Sequence, residues 1–520
     1  MSYLIVLTGV IHLNDKIFIN MKKTILLLSV IVATSANAQS FRLDSTFANN
    51  GKIVSQNLRD LAQIIKKPDG KFLTVGRKIP GPSRIGVEQY LANGIIDSSF
   101  GTNGFAFVGF NGGEDLGYAI GLQSGGKIIV GGSCQKASGN TALDFAIARL
   151  NADGSVDSTF GTNGRFTYDN NNFNFDKVAH LIVQPDDKIL FAGGGGSTNL
   201  IARLTEDGSL DSTFGVNGIY SGGGVVNRMI LASDGKIYTA STGGISASVH
   251  KITSAGVNDP GFLAGNNYSE SVVMAPQKAD LLMLSSGKLL LYAYNNIMGS
   301  VFTLLNSDGT VDSATFGKNH PDSIGYTSKV NIGLMFEQAE GKILTPGFYN
   351  ASSINQIFCV SRFNMNTKQV DPAFADSGYF TAFSHQPSVT SKNEYLNGVI
   401  TAQDGNLLFA GNSCSGSCIP VIYKFINDAG TTPTGLMAVT TNTLDASVYP
   451  NPATGRLNIE IPAAAQATVI LTNIHGQIVS EKTIQNGQNS ISLEGITTGM
   501  YFYTIVDSKG NSAKGKLLVQ

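Results

Sequence analysis

Apolar residues along this chain gather in short runs, each bounded by glycine, aspartate or asparagine, rather than at the three-and-four spacing of amphipathic helices. One such word recurs. It reads KPDGKFLTVG from Lys67, QSGGKIIVGG from Gln123, QPDDKILFAG from Gln184 and ASDGKIYTAS from Ala232. It continues as SSGKLLLYAY from Ser285, QAEGKILTPG from Gln338 and AQDGNLLFAG from Ala402. In each copy β-formers flank a tight polar turn, Asp-Gly in several, which predicts a hairpin with a two-residue turn. A second word, as in FAIARLNADG (Phe145–Gly154), LIARLTEDG (Leu200–Gly208) and VHKITSAG (Val249–Gly256), reads as a strand running into another turn.

A third word is VDSTFGTNG (Val156–Gly164), with near copies at Ile96–Gly104 and Leu210–Gly218. Its aspartate recurs at Asp44, Asp97, Asp157, Asp211, Asp259, Asp312 and Asp371. Its phenylalanine recurs at Phe47, Phe100, Phe160, Phe214, Phe262, Phe316 and Phe374, with one extra residue before Phe316. The spacing of roughly 48–60 residues is that of a repeat architecture. The aspartate is expected to cap its turn through nearby backbone N–H groups, and the phenylalanine to bury its ring between neighbouring units. One unit then holds four antiparallel strands, the content of a propeller blade.

The hairpin word and the Asp word are out of phase. The chain opens on an Asp turn with no unit before it, LDSTFANNGKIV (Leu43–Val54), and its last unit, CIPVIYKFINDAG (Cys418–Gly430), has no Asp turn after it. The orphan start supplies the missing end if the array closes on itself, which removes exposed strand edges. The expected fold is therefore all-β. Residues 39–430 form a seven-bladed β-propeller closed by an N-terminal strand, and a small C-terminal β-sandwich follows. The repeat wording resembles the delta-60 type repeat of secreted bacterial β-propeller-like proteins. That family is defined by its repeat and implies no activity.

Residues 431–446 abandon the repeat and turn Thr-rich, which predicts a linker. From 447 to 520 alternation returns in LNIEIP and YFYTIVD. The block order here resembles the type A C-terminal sorting domain of the type IX secretion system of Bacteroidota. The match rests on Tyr449, Pro450, Asn451 and Pro452, on Gly476 within NIHGQIV, on Gly499-Met500-Tyr501 and on Lys516. The resemblance implies export through the outer membrane by the type IX machinery and cleavage by its sortase. Attachment to surface lipopolysaccharide, or release, would follow. At the other end, MKKTILLLSVIVATSANAQS has the layout of a signal peptide over 21–38, with cleavage between Ala38 and Gln39. Residues 1–20 ahead of it read as a start codon placed too early.

Composition narrows the chemistry. The chain has 520 residues, a formal net charge of −1 and 14% charged residues, so no basic face for nucleic acid is indicated. Of four cysteines, Cys414 and Cys418 are close enough to form a disulfide stapling one loop, whereas Cys134 and Cys359 read as free and buried. No cofactor or metal motif emerges. The histidines, His12, His180, His250, His320, His385 and His475, are scattered without ligand or catalytic spacing. GLQSGGK (Gly121–Lys127) imitates a phosphate loop, but Ile128 stands where a magnesium-binding hydroxyl belongs and the context is a hairpin. The NADGSVD, TEDGSLD and NSDGTVD turns lack calcium-loop spacing. They resemble the Asp-box of sialidases, but that turn carries a Trp and this chain has none.

If the chain has a site, it falls where loops converge at one end of the ring axis. The candidate loops are Ser133–Asp144, Gly193–Asn199, Phe348–Gln356 and Asn412–Pro420. Three functions stay open at this point. The first is a surface-attached module that binds an extracellular glycan or protein. The others are a hydrolase or lyase acting on extracellular polymer, and a purely structural surface protein.

Overall fold

The computed structural model describes residues 41–520 except 79–80, 111–112, 137–141, 171–174, 196–197, 223, 245, 272–277, 296–298, 314–317, 320–329, 339–340, 353–354, 376–378, 382–392, 416, 428–445, 474–477 and 508–511. The leader readings over 1–20 and 21–38, Ala38 and Gln39, Phe316, Gly476 and nearly all of the 431–446 stretch lie outside the described residues. Two compact units are formed, Met1–Gly435 and Leu436–Gln520.

The first unit is built from antiparallel meanders. Leu58–Lys66, Phe72–Lys78, Ile85–Tyr90 and Phe105–Val108 pair in chain order to make one four-stranded sheet. The same order recurs in four further sheets, which begin at Asp115–Leu122, Val178–Val183, Val225–Leu231 and Lys278–Met283. An eleven-stranded sheet completes the unit. It holds one meander around Lys342–Ser352 and Asn355–Asn364 and another made by Asn393–Thr401, Leu407–Ser415 and Ser417–Asn427. A single parallel pair, Gln356 with Asn393, joins them. Among the described residues the helical turns are two short 3₁₀ segments, Ser124–Gly126 and Leu263–Gly265.

In the five four-stranded meanders the first strand packs against the first strand of the next, and Asn393–Thr401 packs against Leu58–Lys66, so these strands form the innermost series. Apolar side chains fill the spaces between successive sheets. Phe145, Ile147 and Phe160 of one sheet pack with Val178, Ile189 and Phe191 of the next. Strands with both faces covered lose their alternation, which is why Ile128–Gln135 and Leu143–Leu150 read as nearly continuous apolar runs.

The hairpin turns differ from the two-residue form expected from Asp-Gly. The Gly70 N–H donates to the Lys67 C=O, and the Lys67 N–H donates to the Lys71 C=O. The loop therefore has three residues, and Gly70 alone takes the left-handed conformation, at φ +84°. This is a type I turn closed by a bulge, which suits the strand twist as well as a two-residue turn does. In the copy without a glycine, Asp187 occupies that position at φ +64°.

The orphan start of the chain pairs with its far end. Phe41–Leu43 and Lys52–Val54 both run antiparallel to Ser417–Asn427, with Leu43 opposite Phe425 and Ile53 opposite Ile422.

In the second unit, Arg456–Asn473 pairs on one side with Ile478–Ser492 and on the other with Gly499–Asp507. Ser447–Tyr449 and Ser512–Val519 extend it, so hydrogen bonds join all five strands in one sheet rather than two separate ones. The long strand bulges between Ile461 and Gln466. Ile459, Ile461, Val469, Leu471, Ile505 and Leu517 share one core.

Candidate functional site

The Asp turns explain themselves residue by residue. Asp97 Oδ1 accepts the Ser99 N–H at 3.1 Å, and the Phe100 N–H closes the turn on the Asp97 C=O. Asp157 and Asp211 do the same with Thr159 and Thr213, and Asp44 with Thr46. The other carboxylate oxygen faces a cation. Asp97 meets Lys71 at 2.7 Å, Asp211 meets Lys188 at 3.0 Å and Asp259 meets Lys236 at 2.9 Å. These lysines are the Lys of the hairpin word, which sequence reasoning left without a role. The seventh copy of that word has Asn406 there.

A second cation comes from the strand word. Arg149, Arg203 and Arg362 reach Asp157, Asp211 and Asp371 at 2.7 Å, 2.8 Å and 2.7 Å. Their guanidinium groups lie over the rings of Phe160, Phe214 and Phe374 at 4.9 Å, 4.8 Å and 4.9 Å. The recurring Arg or Lys eight residues ahead of the aspartate, nine in the case of Arg362, was the available sequence signal. The Lys71 ammonium holds the Asp97 carboxyl well below the usual range. Burial pushes Asp157 and Asp211 upward, but their cation and hydroxyl partners outweigh it and hold both low.

Five of these turns also clasp the next unit. The N–H after the phenylalanine donates to a carbonyl in the following unit's loop: Ala48 to Asn93, Gly101 to Asp153, Gly161 to Asp207, Gly215 to Ala255 and Leu263 to Asp308. The phenylalanine ring lies against the glycine of that loop. A Cβ on Gly208, at φ +91°, would stand 2.7 Å from the Phe160 ring. Phe47, Phe100, Phe160, Phe214 and Phe262 are all almost fully buried. Asp312 likewise meets its hairpin lysine, Lys288, at 2.5 Å. The recurrent residues are thus joints of the scaffold.

The opposite end of the sheets gathers the four candidate loops. The register places Cys134 opposite Asp115, Gly193 opposite Val178, Tyr349 opposite Val330 and Cys414 opposite Asn393. Each loop therefore springs from beside the start of an innermost strand. Cys414 and Cys418 are bridged, with Cα atoms 4.0 Å apart, at the tip of one of them. Cys134 and Cys359 are free and buried, and burial pushes both thiols up to about 12.

Just inside these loops the innermost strands bulge, between Gly117 and Ala119, Val178 and His180, Val226 and Arg228, and Leu396 and Gly398. Several polar groups there tie one strand to the next. Gln63 Oε1 accepts the Ile120 N–H at 2.8 Å, and Asn412 Nδ2 donates to the Leu61 C=O at 2.9 Å. Lys278 Nζ donates to the Gly333 C=O at 2.7 Å. Arg228 Nε stands 3.4 Å from Asp280 Oδ1. Burial, with Arg228, Lys177 and Lys278 nearby, lowers His180 to about 4, so the imidazole is neutral at pH 7. Burial also lowers Lys278 and raises Asp280. Sequence reasoning missed this cluster, because its members follow no motif and meet only when three meanders stand side by side.

A second group of acids lies on the neighbouring sheet. Lys136 Nζ is 2.7 Å from Asp169 and 3.4 Å from Asp144. Burial, with Asp144 and Asp169 adding to it, raises Asp176 to about 6. Asp115 is likewise raised by burial, against the pull of the Phe110 N–H and Arg84. Among the described residues no set of three such side chains is arranged to hold a metal ion.

In the second unit Tyr449 is partly exposed, and its hydroxyl accepts from Gln488 Nε2 at 2.7 Å. Pro450 and Pro452 follow cis peptide bonds. Asn451 Oδ1 accepts the Leu518 N–H at 3.0 Å, fixing the proline segment to the last strand. Tyr501 is buried and donates to the Thr497 C=O at 2.8 Å. Gly499 opens its strand, and Lys516 stands opposite Phe502 in the last one.

Comparison with known proteins agrees with this division. Residues 447–520 match the secretion system C-terminal sorting domain family. Residues 123–160 and 184–214 match a β-propeller domain of unknown function, DUF5122. A search of the curated proteins finds no match. Among solved structures, a protein of unknown function from Bacteroides caccae is 10% identical, covering 60% of this chain and 95% of its own, with a TM-score of 0.33. The extracellular domain of a putative hybrid two-component system from B. thetaiotaomicron is 10% identical, covering 93% of this chain and 59% of its own, with a TM-score of 0.39. YCF48 bound to D1 peptide is 7% identical, covering 72% and 95%, with a TM-score of 0.40. Likenesses this distant carry no functional argument. The chain carries a DUF5122 β-propeller domain in its repeat region and a secretion system C-terminal sorting domain at its end, and that sorting domain directs it through the type IX secretion system to the cell surface or extracellular space.

Proposed function

We propose that this protein is an exported binding or adhesion module. In this reading residues 39–430 are a seven-bladed propeller closed by the strands Phe41–Leu43 and Lys52–Val54. Residues 431–446 link it to a sorting domain whose bent sheet folds over its own core as a small sandwich. The type IX sortase removes that domain, leaving the propeller on surface lipopolysaccharide or released. Pairing of the first strands with Ser417–Asn427 supports the ring. The observation that carries the binding role is the gathering of variable loops and half-buried polar side chains at the starts of the innermost strands, beside exposed Phe175 and Tyr395. A rigid scaffold with varied loops at one end is suited to recognition.

One observation favours the second reading, a hydrolase or lyase. Asp115, Asp144 and Asp176 lie near the same end with raised proton affinity, as a general acid requires. Asp115 and Asp176 are fully buried, however, and cannot touch a polymer. The binding reading is therefore preferred. Glycan-array screening of the folded chain, together with turnover assays on acidic and neutral polysaccharides, tests both. Binding without turnover is expected. Turnover abolished by Asp144→Asn would replace this reading with the enzymatic one, and blank arrays and assays alike, with a blank pull-down of extracellular proteins, would leave only a structural role.

A further inference from the structure

A buried carboxylate stands where the start of the repeat unit meets its end. Glu88 lies in Ile85–Tyr90 and is 1% exposed. Its Oε1 accepts the Ser55 hydroxyl at 2.9 Å and Asn57 Nδ2 at 3.3 Å, and its Oε2 accepts the Tyr90 hydroxyl at 2.7 Å. Ser55 and Asn57 follow the strand Lys52–Val54, and the Ser55 N–H donates to the Pro420 C=O of the last sheet at 3.2 Å. The Ser55 hydroxyl also accepts the Leu58 N–H at 3.0 Å, where the first innermost strand begins. One side chain of the first sheet thus fastens the stretch that leads from the chain's opening strands, paired with the last sheet, into the first.

Among the described residues no ammonium or guanidinium pairs with Glu88, in contrast to Asp97 and Asp157. The charged side chains of the elements around it are engaged elsewhere. Lys52 lies over the Tyr423 ring, Lys78 lies over Phe107, Arg77 meets Asp60 and Glu114, and Lys424 meets Asp44 and Asp404. Arg59 and Lys66, on the first innermost strand, make no ion pair with it. The titratable group that faces it among the described residues is the Tyr90 phenol, which burial and the carboxylate together keep protonated. Burial pushes the Glu88 carboxyl up, against the pull of its Tyr90, Ser55 and Asn57 donors. Thr74 stands directly opposite Glu88 in the register, and its buried hydroxyl has no partner among the described residues. A neutral acid can donate to that oxygen.

We propose that Glu88 is a proton-operated latch on the junction between the start and the end of the repeat unit, firm when its carboxyl is neutral and looser when it is ionised. In the closed junction an ionised Glu88 is a buried charge held by three uncharged donors alone. Opening of the Ser55–Asn57 segment lets water reach it. Ionisation therefore favours opening, and protonation favours closure. Because folding raises the proton affinity of Glu88, its contribution is complete at low pH and is lost as pH rises through the folded value. The chain holds its ends most firmly in acidic surroundings.

The latch uses the strand pairing at the junction and is independent of what the loops bind. Amide hydrogen exchange of the full chain at pH 5 and pH 8, corrected for intrinsic exchange rates, tests it. Opening of residues 52–58 should be about threefold or more as frequent at pH 8, with a smaller change in Ile237–Gly243 of another sheet. Glu88→Gln, which keeps the shape and an acceptor, should remove the difference. Ser55→Ala, which takes a donor from the ionised form, should widen it, and this variant keeps the test decisive where Glu88→Gln does not fold. Equal protection at the two pH values overturns the inference, as does the same change throughout the repeat unit. So does a difference that survives Glu88→Gln or shrinks in Ser55→Ala.

Discussion

Lys424 and Asp44 come from opposite ends of the repeat region, yet they make the contact that Arg149 and Asp157 make across a spacing of eight residues. The Asp44 N–H donates to the Lys424 C=O at 2.8 Å, and the Lys424 ammonium lies 3.1 Å from the Asp44 carboxylate. The same ammonium sits over the Phe47 ring at 5.5 Å, as the arginines sit over their own phenylalanines. It also meets Asp404 at 2.5 Å, in the unit where Asn406 replaces the hairpin lysine. One cation here serves where two serve elsewhere.

Removing that cation should therefore unfasten the ends. Both partners are mostly buried, and breaking such a pair leaves a carboxylate without its cation. Lys424→Met is expected to cost about 2–4 kcal/mol in chemical denaturation. Asp44→Asn should cost less, because the amide can still accept the Thr46 N–H. Equal, negligible losses in both would show that the ends are held otherwise.

The inter-unit clasp predicts a contrast between two glycines. Gly208→Ala forces a left-handed residue and drives its Cβ against the Phe160 ring, for an expected loss of about 2–4 kcal/mol. Gly287 also has a positive φ, +78°, but nothing stands within 4 Å of its Cβ position. Gly287→Ala should lose only the backbone term, about 1–2 kcal/mol. Similar melting temperatures for the two variants would contradict the clasp.

Much of this scaffold was legible because it repeats. The aspartate, the phenylalanine and the glycine-bounded runs recur in step, and the phase difference between the words pointed to pairing of the ends. Lys71 and its equivalents were visible but unread, since nothing local says that a hairpin lysine will meet an aspartate one strand away. The Asp-Gly turns were misjudged by one residue because the dipeptide is compatible with both turn types. The cluster of Lys177, His180, Arg228, Lys278 and Asp280 was not legible at all. It depends on which bulged strands become neighbours, and that is a property of the assembled unit.

Burial of Asp176 gives a pH dependence of known sign. Its folded proton affinity, at about 6, exceeds the unfolded value, so its contribution is complete below pH 4 and is lost as pH rises through 6. Asp176→Asn should be nearly neutral at pH 4 and stabilising by about 1–3 kcal/mol at pH 8, measured by urea unfolding. A loss of stability at pH 8 would show that the carboxylate has a partner it depends on.

The thiols make a simpler test. Native protein should not react with an aromatic disulfide reagent, because Cys134 and Cys359 are buried and held as thiols. Denaturant alone should release two reactive groups, and denaturant with prior reduction four. Four groups without reduction would mean that Cys414 and Cys418 are not bridged in solution.

Closure of the repeat unit by its own first strands is the central claim, and amide hydrogen exchange read by mass spectrometry tests it most directly. Peptides covering residues 41–54 should be as protected as those covering 417–427, and Lys424→Met should weaken both together. Rapid exchange of 41–54 while 417–427 stays protected would contradict the account, because it would leave the last sheet complete without the start of the chain.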